Sequence, residues 1–134
     1  MTTRSCALLL TLLLAGSLAL PAVAGPPTLA VKIAAIEAAQ TAELARLDGA
    51  IASTSEPAAI LALQRCAAHV KLASRLALHQ AQLAATTDEA LAATLTGLVE
   101  RLGDRLAATQ AELPEDYAFD PLAALRPEVT PCAD

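Results

Sequence analysis

The chain has 134 residues, 55% apolar residues and a formal charge of −5, yet only Tyr117 and Phe119 are aromatic. This length is enough for one domain and too short for two. Alanine occupies 34 positions. Alanine and leucine favour helices, and the β-branched and aromatic residues typical of strands are scarce, which argues against an all-β fold. The acidic charge, without a basic stripe or stacking aromatics, argues against nucleic acid as a partner.

Residues 1–24 have the pattern of a secretory signal peptide that is cleaved. Arg4 supplies the positive charge, an apolar run of 14 residues covers 7–20, and Ala22-Val23-Ala24 precedes the expected cleavage point. A helix that spans a bilayer needs about 20 apolar residues, so this run is too short, although an uncleaved anchor is the alternative. We therefore expect a periplasmic or secreted protein with no stable membrane anchor after cleavage.

Residues 25–113 are predicted to form an all-α, antiparallel three-helix bundle, with helices at about 28–52, 56–85 and 88–113. The first and third helices carry larger apolar residues at steps of three and four, with Gln40 and Thr109 each occupying one step, which is the spacing of one helix face. On the first helix these residues are Leu29, Ile33, Ile36, Leu44, Leu47 and Ile51, and on the third they are Leu91, Leu95, Leu98, Leu102, Leu106 and Leu113.

The second predicted helix is apolar on most sides, so it must be buried between neighbours. Its only polar stripe is narrow and consists of Gln64, Lys71, Arg75 and Gln82. The centre of its broad apolar face is rich in alanine, which allows another helix to approach closely. That centre comprises Ala62, Cys66, His69, Ala73, Ala77 and Gln80.

The boundary between the second and third helices contains neither glycine nor proline. Thr86 and Glu89 fit a capping box, with Thr86 as the cap, and this pattern favours a bend. A single helix over residues 56–113 is the alternative, and it would need a partner chain to bury its apolar stripe.

The tail, residues 114–134, contains four prolines, which exclude a long helix. Tyr117 and Phe119 are expected to pack on the bundle, because they are the only aromatic residues and stand next to its last helix. Two cysteines remain after signal cleavage, and an even number in an exported protein predicts a disulfide between Cys66 and Cys132. Two free thiols are the alternative.

Cys66 and His69 are three residues apart and therefore share one helix face. They are weak candidates for a metal site, with His79 as a further candidate ligand. Ten residues separate the two histidines, which rotates them about 80° apart on a helix. No metal or cofactor is predicted.

No motif of nucleophilic, phosphate-binding or metal-dependent catalysis is present in the sequence, and no enzymatic activity is predicted. The large apolar helical surface favours a non-enzymatic interaction, assembly or chaperone-like module that binds a protein partner or itself. The alternative is a periplasmic helical protein that binds a small ligand or metal through Cys66, His69 and His79.

Overall fold

The computed structural model describes residues 26–126, so the predicted signal peptide and Cys132 lie outside the described residues. Residues 28–125 form one compact unit. Its elements are the helices α1 (Leu29–Ala52), α2 (Pro57–Ala85) and α3 (Glu89–Gln110), followed by the 3-10 turn Ala123–Leu125. There is no strand in this part of the chain. The prediction of an all-α fold with three packed helices is confirmed.

The boundaries of α1 follow from local hydrogen bonding. Thr28 precedes the helix in an extended conformation, and its hydroxyl accepts a hydrogen bond from the backbone N–H of Val31 at 3.3 Å. At the other end, the hydroxyl of Ser53 donates to the carbonyl of Gly49 at 2.8 Å. Pro57 then occupies the first position of α2, where its missing N–H costs nothing.

The break between α2 and α3 is real, but its cap differs from the sequence prediction. Asp88, rather than Thr86, caps α3, because its Oδ1 accepts from the N–H groups of Ala90 and Leu91 at 2.9 and 3.2 Å. Thr86 instead ends α2 in an extended conformation, and its hydroxyl accepts from the N–H of Asp88 at 3.3 Å. Side-chain acceptors of this kind compete with helical hydrogen bonds, so they separate two helices without glycine or proline.

The third helix ends earlier than its apolar spacing predicts. The structure ends α3 at Gln110, and Leu113 lies in a following turn in which its N–H donates to the carbonyl of Gln110 at 3.2 Å. Pro114 excludes a further helical turn at this point. Leu113 still packs on the core, so its place in the apolar pattern is preserved.

The middle helix, α2, provides most of the core. It packs against both α1 and α3, whereas no Cα atom of α1 lies within 8 Å of one in α3. Seven of the eleven buried residues in the described part belong to α2, and most are small. They are Cys66, His69, Val70, Ala73, Ser74, Ala77 and Ala81. Burial of α2 between its neighbours, as its composition predicts, therefore determines the architecture.

Not every residue of the predicted apolar faces is buried. Gln80, which the sequence places at the centre of the α2 face, is exposed. Leu91 begins the α3 stripe but is 48% exposed, whereas Leu95 and Leu102 further along are buried. The helical period predicts which side of its own helix each residue occupies, but it does not show how far the neighbouring helix extends.

Within residues 26–126, no helix combines the length and the apolar character that a membrane span requires.

Candidate functional site

Cys66 and His69, two of the three residues predicted as candidate ligands, are buried in the core. Cys66 forms a buried cluster with Leu47 and Val70, which we call the Leu47 cluster. The partly buried side chains packed against it come from α1, α2 and the chain after α3. They are Leu44, Leu63, Ala67, Leu113, Tyr117 and Phe119. Both aromatic residues of the chain therefore lie beside this cluster.

Tyr117 connects the chain after α3 to α1. Its hydroxyl donates a hydrogen bond to Oε1 of Glu43 at 3.2 Å, across 74 positions of sequence. The same carboxylate pairs with Arg46, whose Nε lies 3.0 and 3.1 Å from the two oxygens of Glu43. The hydrogen bond and charge of Arg46 lower the pKa of Glu43. The Tyr117 hydroxyl is thus aimed at a carboxylate that remains ionised, which strengthens the hydrogen bond.

Burial keeps the reactive side chains of this region neutral. Desolvation raises the pKa of the Cys66 thiol, lowers that of His69 and raises that of Tyr117. Cys66 is 2% exposed and His69 is 6% exposed. The thiolate is the nucleophilic form of cysteine, and this environment disfavours it. The arrangement therefore suits packing better than nucleophilic chemistry.

The rings of His69 and Tyr117 pack in a T-shaped arrangement, with ring centroids 6.3 Å apart and an angle of 82° between the rings. Its buried Nδ1 makes no hydrogen bond within the described residues, and neither does the buried hydroxyl of Ser74. Buried polar atoms without partners are uncommon, because each costs part of its hydration free energy. Burial, which lowers the pKa of His69, favours a neutral imidazole at this position.

A neutral buried His69 makes stability depend on pH in a defined direction. Its folded-state pKa lies below the ordinary value of 6.5, so the unfolded chain takes up the proton first as the pH falls. We expect the free energy of unfolding to decrease as the pH falls below about 7, by up to about 1.4 kcal/mol per pH unit, until the folded protein also takes up the proton. Urea denaturation across this range measures the slope.

The matched variant is His69→Gln, which removes the titrating ring and should flatten this slope. His69→Phe keeps an aromatic ring against Tyr117 and serves if the glutamine variant does not fold. Glu43 contributes only at lower pH, since its folded-state pKa is below the ordinary 4.5. Parallel stability profiles for the wild type and both variants would contradict this assignment.

The three candidate ligands do not come together. Cys66 and His69 lie near Tyr117. His79 lines a different groove, between α2 and α3, and its Nδ1 is 3.1 Å from Oε1 of Gln82. Across residues 26–126, no group of three or more histidine, cysteine, aspartate or glutamate residues is placed to hold a metal ion.

The groove that contains His79 brings together residues that the sequence alone does not single out. Its six lining residues come from α2 and α3 and enclose about 390 Å³. They are Arg75, His79, Leu98, Arg101, Leu102 and Arg105. The sequence does indicate that four of them share one face of α3, because residues three or four apart are neighbours on a helix surface. These four are Leu98, Arg101, Leu102 and Arg105.

Other openings lie along the helices, and one of them, between α1 and α2, has Glu37, Lys71 and Arg75 in its lining. A mainly apolar groove lies where α2 ends and α3 begins, and Leu29, Leu91 and Leu95 are part of its lining. A second cavity of about 310 Å³ gives access to the Leu47 cluster, and Cys66, Asp116 and Tyr117 line it.

No protein-family model matches this sequence, and comparisons with curated proteins and with solved structures found no significant similarity.

Proposed function

We propose that this protein is an exported, non-enzymatic helical module that acts by binding a partner, in an interaction, assembly or chaperone-like role. The burial of Cys66 and His69 supports this proposal most directly. The thiol and imidazole lie in the core, at 2% and 6% exposure, and burial shifts both pKa values toward the neutral forms. The accessible features are grooves between helices and half-exposed apolar side chains, which suit binding.

The finer architecture belongs to the same proposal. We infer that consecutive helices run antiparallel, because Leu95 near the start of α3 lines a groove with Ala85 at the end of α2. Leu47 near the end of α1 likewise packs with Cys66 in the first half of α2. The Pro-rich tail would lie across α1 and α2, an arrangement that Tyr117 and Phe119 favour by packing on the Leu47 cluster.

Export and a disulfide complete the proposal. The signal-like residues 1–24 carry the prediction of a periplasmic or secreted location. In such a compartment, Cys132 would pair with Cys66, which lines the cavity beside Tyr117. Cys132 itself lies outside the described residues, so this pairing rests on the cysteine count and on the cavity at Cys66.

Size-exclusion chromatography with light scattering, together with binding of the neutral dye Nile red, tests the binding role. We expect either a mass above that of one chain or dye fluorescence from exposed apolar side chains. Leu61 on α2 and Leu91 on α3 are each 48% exposed, so they can be substituted without disturbing the core. Leu61→Ser and Leu91→Ser should reduce the self-association or the dye fluorescence without unfolding the protein. A strict monomer that binds neither dye nor any exported protein would contradict the proposal.

The second candidate is a small-ligand or metal-binding function at Cys66 and His69. The partnerless, buried Nδ1 of His69 favours it, since a nitrogen without a hydrogen bond retains its capacity to bind a metal. Metal analysis of protein purified under reducing conditions distinguishes the two functions. An intact Cys66–Cys132 disulfide without stoichiometric metal would remove this candidate.

A further inference from the structure

The groove between α2 and α3 concentrates positive charge in an acidic protein. Arg75 extends from α2, and Arg101 and Arg105 extend from α3. None of the six lining residues is acidic, although the chain has a formal charge of −5. Glu100 and Asp104 are next to two of these arginines in sequence but do not line the groove. We call this feature the arginine groove.

Within residues 26–126, none of these three arginines forms an ion pair, since the pairs Arg46–Glu43 and Arg65–Glu112 involve other arginines. Arg75 also borders a second groove, between α1 and α2, whose lining includes Glu37. Nε of Arg101 donates to the carbonyl of Gly97 at 3.2 Å, so its side chain lies along α3 and its terminal nitrogens remain available. All three arginines are exposed, so an anion can approach them from solvent.

Three like charges around one opening repel each other, and this repulsion is reduced when an anion lies between them. Guanidinium groups present paired donors that match the oxygens of phosphate, sulfonate and carboxylate groups. The floor of the arginine groove is apolar, since it is formed by Leu102, which is buried, and Leu98, which is half-buried. The groove therefore combines an anion-binding rim with an apolar surface, in a volume typical of small-ligand sites.

We propose that the arginine groove binds a small amphiphilic anion, with its acidic group on Arg75, Arg101 and Arg105 and its apolar part against Leu98 and Leu102. This goes beyond the binding module proposed above, because it requires neither a protein partner nor self-association. His79 completes the α2 side of the groove, where its ring is oriented by Gln82.

Isothermal titration calorimetry with dodecyl phosphate, kept below its micelle concentration, tests this site. Dodecyltrimethylammonium is the control ligand, because it has the same dodecyl group but a positive charge. We expect the phosphate to bind and the ammonium to bind far more weakly. Arg101→Gln and Arg105→Gln should each weaken binding by about three- to tenfold, since each removes one charge-assisted contact at an exposed rim.

The control variant is Arg65→Gln. It removes the same charge from an exposed arginine on α2 that does not line the groove, so binding should stay at the wild-type level. Circular dichroism should show unchanged helicity for all three variants, because the substituted side chains are exposed. Equal loss of binding in Arg65→Gln would indicate a general charge effect and overturn the proposal.

Sedimentation with vesicles distinguishes a free ligand from a lipid headgroup. Binding to phosphatidylglycerol vesicles but not to phosphatidylcholine vesicles, abolished in the Arg101→Gln, Arg105→Gln double variant, would assign the anion to a membrane surface. Binding of monomeric dodecyl phosphate without vesicle binding would assign it to a free amphiphile. The proposal is wrong if the double variant binds dodecyl phosphate as the wild type does, or if neither dodecyl phosphate nor anionic vesicles bind.

Discussion

Leu47→Ala is expected to lower the free energy of unfolding by roughly 3–5 kcal/mol. Leu47 has 0% exposure and forms the centre of a cluster with Cys66 and Val70. Its truncation removes apolar contacts and leaves a cavity between α1, α2 and the residues after α3, where the packed neighbours can collapse only partly. Urea or guanidinium denaturation monitored by circular dichroism measures this loss.

Leu61→Ala is the matched control, because it deletes the same atoms from a leucine that is 48% exposed. We expect it to cost less than about 1 kcal/mol. Leu102→Ala, at a 7% exposed position on α3, should cost roughly 2–4 kcal/mol. A Leu47→Ala variant no less stable than Leu61→Ala would show that the cluster is not the core of the protein.

The proposed Cys66–Cys132 disulfide has the second large expected effect. It would close a loop of about 65 residues, and the chain-entropy model assigns such a loop ~4 kcal/mol of stabilisation. We therefore expect Cys132→Ser to be less stable than the oxidised wild type by about this amount. Cys132 is the residue to change, since Cys66 is buried and its substitution would also disturb packing.

Denaturation under oxidising and reducing conditions provides the internal control. The wild type should lose stability on reduction, whereas Cys132→Ser should be unaffected. Mass spectrometry of the unreduced, proteolysed protein should also recover the two cysteines in one linked pair of peptides. Equal stability of the wild type and Cys132→Ser in the absence of reductant would show that the thiols remain free.

The helices were predictable because their signals are local. The Thr28 cap and Pro57, which mark the starts of α1 and α2, each depend on a few neighbouring residues. The error at the start of α3 has the same origin, because Thr86 and Asp88 both carry side-chain acceptors suited to a cap. Only the backbone conformation decides which of them accepts from the first turn of the helix.

The candidate site was only partly predictable. Sequence spacing places Cys66 and His69 on one face and correctly indicates that this face is buried. It does not reveal the hydrogen bond from Tyr117 to Glu43, since the two residues are 74 positions apart. It does not reveal the groove at the α3 arginines either, because a helical period alone does not show which neighbouring helix lies beside them.

The amino-acid sequence by itself determined an all-α chain, the approximate extent of three helices and the burial of the small-residue helix α2. These properties depend on helix propensity, caps and apolar spacing, all of which act over a few residues. Only the tertiary structure decided that Leu91 is exposed while Leu102 is buried, and that Arg75 meets Arg101 and Arg105 across one groove. Such outcomes depend on how whole helices pack against each other, which no local pattern specifies.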